Sequence, residues 1–178
     1  MKKLIISILT LMSITVVAQK GMIVDQKTGK ISYDGIGKVS FVRGKVFRTK
    51  NGEKKSEELG IEFDILEKDI IQTESKSAVK IRMNDMTIIT LGPNSHFNFK
   101  NFENNKGKRD ASYKLSMGKA RVKVPIKVND GQLNFNTRTV SLGVRGTEFL
   151  MNQEIDNDGN LREQIALLEG KLEIIRKD

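Results

Sequence analysis

An all-β domain of many short strands is the fold class this sequence predicts, on three observations. Apolar and polar residues alternate in several short runs. Asn-Gly, Asp-Gly and Gly-Pro pairs separate those runs. No window of ten or more residues carries a convincing 3.6-residue period. The pattern suits a β-sandwich, a barrel or an irregular β-solenoid.

The chain opens MKKLIISILTLMSITVVAQK. Lys2 and Lys3 precede an apolar run from Leu4 to Ala18, which ends in VVA. A positive start, a short apolar middle and a small exit residue make a secretory signal peptide pattern. The run of about 15 residues falls short of the ~20 a membrane helix needs. A signal peptide over 1–18, cleaved after Ala18, is therefore expected. No other apolar run approaches spanning length, so the mature chain is not expected to be an integral membrane protein. Its expected location is the periplasm or outside the cell. Residues 19–36 read as a polar lead-in, and 37–178 as the β domain.

Within that domain, AVKIRM sets Val79, Ile81 and Met83 against Lys80 and Arg82. KARVKVPIK sets Ala120, Val122, Val124 and Ile126 against Lys119, Arg121 and Lys123. QLNFNTRT turns Leu133 and Phe135 inward. Period two is the signature of a half-buried strand. Asn51-Gly52, Asp130-Gly131 and Asp158-Gly159 are hairpin dipeptides, because both residues tolerate positive φ. Gly92-Pro93 marks a further break. KSEELGIEFDILEKD, residues 55–69, leaves room for one short helix.

A weak repeat runs through the domain. VSFVRGKVF, YKLSMGKARV and IALLEGKLEI align on Gly44, Gly118 and Gly170, each followed by lysine. Apolar residues stand five and three places before each glycine: Val39 and Phe41, Tyr113 and Leu115, Ile165 and Leu167. Two places after it stand Val46, Ala120 and Leu172. A one-residue change of phase at a glycine is what a β-bulge or corner produces, and both halves then keep their apolar residues inward. TVSLGVRGTEF follows the same grammar. Val140, Leu142 and Val144 share one face, Gly143 and Arg145 the other, and Phe149 resumes the apolar role after Gly146.

Composition narrows the chemistry. The chain has no cysteine. That excludes disulfides, thiolate metal sites, cysteine nucleophiles and a lipid anchor on cysteine. The net charge is +9, and +9 − 2 = +7 once Lys2 and Lys3 are removed. A basic balance favours anionic partners without choosing among them. His96 is the only histidine and stands in an ordinary strand entry with no nucleophile motif beside it, so no catalytic role is assigned. EIDNDGN places Glu154, Asp156, Asp158 and Gly159 at positions 1, 3, 5 and 6 of a calcium loop. Ile165 then holds the twelfth position, where a bidentate glutamate is required, so a hairpin turn is the reading. GVRGTEF lacks the glycine spacing and following helix of a phosphate loop. Residues 100–127 are rich in lysine and arginine, and 148–169 in acidic residues. Lys119, Arg121 and Lys123 form a candidate anion-binding face. The plainer reading of these charges is a solvated, edge-protecting pattern.

Taken together, GKVSFVRGKV, LEKDIIQTESKSAVKIRMNDMTIITLGPNSHFNF, YKLSMGKARVKV, FNTRTVSLGVRGTEF and ALLEGKLEI resemble the FecR domain in family order, over about residues 37–176. VRGTEF (Val144, Arg145, Gly146, Thr147, Phe149, with Gly143 before it) and LLEGKLEI are the most specific pieces. The sequence departs from the family pattern at Lys68, where glycine usually precedes Asp69, and at Met86, where glycine usually follows Asp85. FecR itself passes a signal from an outer-membrane receptor to a cytoplasmic sigma factor. The chain opens on its export segment, so a stand-alone domain is expected and the sigma-factor role is not carried over. The resemblance implies a β-rich envelope domain that binds other proteins or envelope components in signalling or assembly. It implies no enzymatic activity, catalytic residue, metal or cofactor. The expected partner is an envelope protein; the alternative is adhesion to an anionic envelope polymer. Nucleic acid is disfavoured by export and by scarce aromatic platforms.

Overall fold

In the computed structural model, residues 22–24, 31–33, 35–105, 108–125 and 131–177 are described. The expected signal peptide lies outside them. The chain divides into two units, Met1–Tyr33 and Asp34–Asp178. The described part of the first is an antiparallel pair, β1 (Met22–Val24) with β2 (Ile31–Tyr33).

Alternation and turn chemistry build the second unit as expected. Its strands are β3 (Gly37–Arg43), β4 (Val46–Thr49), β5 (Ser56–Glu58), β6 (Asp64–Ile65), β7 (Ile70–Thr73), β8 (Ala78–Met83) and β9 (Ile88–Leu91). There follow β10 (His96–Asn105), β11 (Lys108–Lys123), β12 (Leu133–Asn136), β13 (Val140–Val144), β14 (Glu148–Ile155), β15 (Leu161–Glu169) and β16 (Leu172–Arg176). They form one 14-stranded sheet, curled into two halves. One half runs β5-β4-β7-β10-β11-β12-β13-β16; the other runs β6-β3-β8-β9-β11-β14-β15. The 16-residue β11 belongs to both. Its first part pairs β10 and β12, and from Gly118 onward it pairs β9 and β14. Every pairing is antiparallel except β11 with β12. Among the described residues there is no helix, and none that could cross a membrane.

One apolar core lies between the halves. Phe97, Phe99, Tyr113, Leu115 and Phe135 enter from the first half, and Ile81, Ile89, Val122, Phe149 and Met151 from the second. The rings of Phe135 and Phe149 meet edge to face at 5.3 Å. Tyr113 is fully buried, and its hydroxyl has no hydrogen-bond partner. Arg109 and Asp85 form a buried ion pair at 2.6 Å, and the other carboxylate oxygen of Asp85 accepts from the Thr87 N–H at 2.9 Å.

The weak repeat has a structural cause. Gly44, Gly118 and Gly170 sit at φ of +71°, +88° and +88°, where the chain passes from one half to the other. A hydroxyl from a neighbouring turn closes each corner. Ser77 Oγ accepts from the Lys45 N–H at 3.0 Å. Ser95 Oγ accepts from the Lys119 N–H at 3.0 Å. Thr147 Oγ1 donates to the Lys171 carbonyl at 2.7 Å. The close approach excludes a side chain: a Cβ on Gly118 would lie 2.6 Å from the Asn94 carbonyl oxygen, and closer still to Ser95.

Three expectations are corrected. The segment 55–69 forms β5, β6 and turns, not a helix, because Leu59 and Ile65 are drawn singly into the core from extended backbone. Phe41 is 44% exposed, since a register shift between Val39 and Phe41 turns it outward. Asp130-Gly131 does not join a hairpin: β11 crosses to the second half, so the returning chain lies parallel to its start. Asp130 itself is outside the described residues. The other two dipeptides do lie in antiparallel connections, β4–β5 and β14–β15. Lys68 and Met86, the two departures from glycine, both adopt a φ of +68°. The left-handed turn is kept without the residue that takes it most easily.

Candidate functional site

The two ends of the strand order differ. At the β5/β6 end the core is closed. Ile36, Leu59 and Ile65 are buried. Arg48 ties this end together: its Nε donates to Glu57 at 2.8 Å, its Nη1 to the Asp64 carbonyl, and its guanidinium stands 5.9 Å from the Phe63 ring centre. Buried Asp69 lies 3.6 Å from Arg48 and accepts from the Leu66 N–H at 2.8 Å. Burial outweighs both contacts and raises its pKa above the usual 3.8.

At the β15/β16 end the core is open. β15 pairs only β14, and β16 pairs only β13. Leu167 stands opposite Phe149, and Ile174 opposite Leu142, so both point to the core side. Yet Leu167 is 50% exposed and Ile174 57%. Leu168 and Ile175 are exposed to similar degrees. Exposed strand edges are usually protected by charge, proline or a covering element, and the last units of stacked β structures usually carry a polar cap. Glu169, Lys171, Glu173 and Arg176 place charge at this end, but among the described residues no strand or turn covers Leu167 and Ile174.

The VRGTEF segment braces the open end. Val144 pairs Leu172 and is nearly buried. Gly146 turns the chain at φ +65°. Its carbonyl packs so tightly on Gly170 that a Cβ there would approach to 2.5 Å. Thr147, 2% exposed, clasps Lys171, and its carbonyl accepts from the Val124 N–H at 2.9 Å. Phe149 fills the core. Gly143 lies against Glu173, whose Oε2 would be 3.3 Å from a Cβ. Arg145 is exposed. The two most specific sequence pieces are therefore the two sides of one interlocked corner.

Lys119, Arg121 and Lys123 are exposed along one strand face. Two of them meet Glu148: Lys123 at 3.0 Å, with Arg121 Nε donating at 2.8 Å. Lys123 first, then Arg121, hold the Glu148 carboxyl below its usual 4.5.

The remaining candidates resolve simply. His96 is half-buried in β10, and burial first, then Lys114, lower its pKa. The structure brings no carboxylate or hydroxyl into hydrogen-bond reach of it among the described residues. In the 154–159 loop, Asp156 accepts from the N–H groups of Asp158 and Asn160 at 3.0 and 2.9 Å and from Arg162 at 2.9 Å. Those bonds, the Asn160 N–H foremost, lower its pKa and use its oxygens for a hairpin turn. No acidic or histidine cluster able to hold a metal occurs among the described residues.

The family model described as FecR protein matches residues 69–173, more than half of the chain. No curated protein and no solved structure matches it. The matched stretch begins at buried Asp69 and ends early in β16, so it contains the interlocked corner and β15 but stops before Ile174. The chain belongs to the FecR family, whose members are envelope-associated signalling and regulatory proteins.

Proposed function

We propose that this protein is a non-catalytic binding module of the periplasm or extracellular space, and that it docks an envelope protein on its open β15/β16 end. The partner supplies an extended strand with alternating apolar side chains. Its backbone pairs with a free edge, and its side chains cover Leu167 and Ile174. The observation that carries this reading is the asymmetry of the ends. At one core end Leu59 and Ile65 are buried under the Arg48 network, while at the other the core-side Leu167 and Ile174 stay half exposed. Burying the exposed halves of Leu167 and Ile174 contributes roughly 2 kcal/mol, before any main-chain bonds.

The test is capture of the tagged protein from crosslinked cells after a high-salt wash, beside a Leu167→Lys, Ile174→Lys variant whose folding is verified by circular dichroism. One defined envelope protein should survive the wash with the native chain and be lost with the variant. Equal recovery by both, or recovery only of salt-labile polymer, would overturn the proposal.

A further inference from the structure

The outer face of the second half is a grid of cations. Lys80 and Arg82 point outward, because Val79, Ile81 and Met83 are buried. Lys119, Arg121 and Lys123 point the same way, around buried Ala120 and Val122. Strand register aligns them. Arg82, Ile88 and Lys123 make one cross-strand row, and Lys80, Thr90 and Arg121 the next. Arg43 adds a cation at the end of β3, beside Ala78. Neighbouring outward residues on a strand lie about 7 Å apart, and cations two strands apart about 10 Å.

The grid is poorly neutralised. Glu148 serves Arg121 and Lys123, and Lys38 at the margin meets Glu62 and Asp64. Among the described residues, Arg43, Lys80, Arg82 and Lys119 have no carboxylate within ion-pairing distance. Solubility alone is served by interspersed signs; a one-sign field attracts anions. Beside the grid lies a shallow groove of about 350 Å³. Lys119 and Arg121 line it with Thr90, Asn152 and Gln164, and Leu150 and Ala166 give it an apolar patch.

We infer that this face binds an acidic polysaccharide, its acid groups on the cations and one sugar unit in the groove. Amide and hydroxyl groups suit sugar hydroxyls, and lysine and arginine suit carboxylate or phosphate. Phe41 is the one exposed aromatic on this face among the described residues, whereas single-stranded nucleic acid is held on several stacked rings. The inference goes beyond partner docking at the β15/β16 end and is independent of it.

Binding of the full exported chain to polygalacturonate and to dextran sulfate, with neutral dextran as control, tests it. A Lys80→Glu, Arg82→Glu variant reverses the grid. A Lys54→Glu, Lys55→Glu variant makes the same change in net charge on the exposed β4–β5 connection. The acidic polymers should bind and the neutral one should not. Grid reversal should weaken binding at least ~30-fold, and the control reversal less than about threefold. Gln164→Ala should weaken it about fivefold even in high salt, since an amide contact is not screened. Equal losses in the two reversals would overturn the inference in favour of net charge alone. Failure to bind either acidic polymer would also overturn it, as would binding only to anionic phospholipid vesicles or single-stranded DNA.

Discussion

Replacing Gly118 by alanine probes the corner on which β11 changes halves. The glycine stands at φ +88°, and a methyl group there would meet the Asn94 carbonyl at 2.6 Å and the Ser95 backbone. The turn must retreat, and Ser95 Oγ then loses its bonds with the Lys119 N–H at 3.0 Å and the Gly92 carbonyl at 2.8 Å. Left-handed strain, less the entropy lost by glycine, costs about 1 kcal/mol. Two hydroxyl bonds add about 2 kcal/mol, and residual crowding about 1 kcal/mol. The expected loss is about 4 kcal/mol, a large share of a domain's stability. Gly52 supplies the control: its φ is +78°, with nothing within 4 Å of an added Cβ, so Gly52→Ala should cost only about 1 kcal/mol. The chain has no tryptophan, so urea unfolding is followed by far-ultraviolet circular dichroism. Losses for the two variants that agree within about 0.5 kcal/mol would refute the hydroxyl-closed corner.

Lys68→Gly and Met86→Gly should each raise stability by about 0.5–1 kcal/mol in the same assay, because both residues are exposed and stand at φ +68°. Tyr113→Phe should be stabilising by about 1 kcal/mol, since it removes a buried hydroxyl without a partner. Burial first, then Asp85, push the Tyr113 pKa well above 10. The native chain should therefore lose stability as pH rises past 10, where the unfolded phenol ionises first, and Tyr113→Phe should lose less. Glu148 has its folded pKa lowered, so its contribution is present above the usual 4.5 and is lost as pH falls through the folded value. Glu148→Gln should accordingly show a shallower acid decline in melting temperature below that pH.

Local alternation was enough to place the strands. AVKIRM and KARVKV carry their own face assignment, and Lys80, Arg82, Lys119, Arg121 and Lys123 are all outward as that alternation requires. The Gly-Lys repeat pointed to corners, and each proved to be a passage between halves. What alternation could not supply is long-range pairing. Nothing local shows that β9 bridges Lys80 to Arg121, or that β12 returns parallel to β11. Ile165, Leu167 and Leu172 read as inward residues alike, yet Ile165 and Leu172 pack on the core while Leu167 is half exposed, because period two reports which side a residue faces, not whether another strand lies beyond it. The open end is thus the part of the candidate site that only the strand order reveals.

Docking of the proposed partner on the open β15/β16 end is open to direct test. A photo-crosslinking residue placed at Ile174 in living cells tests it, with Ile61, exposed near the closed end, as the comparison. One discrete adduct with an envelope protein is expected at Ile174 and none at Ile61. An adduct only at Ile61, an adduct of two copies of this chain, or no adduct at Ile174 would contradict it.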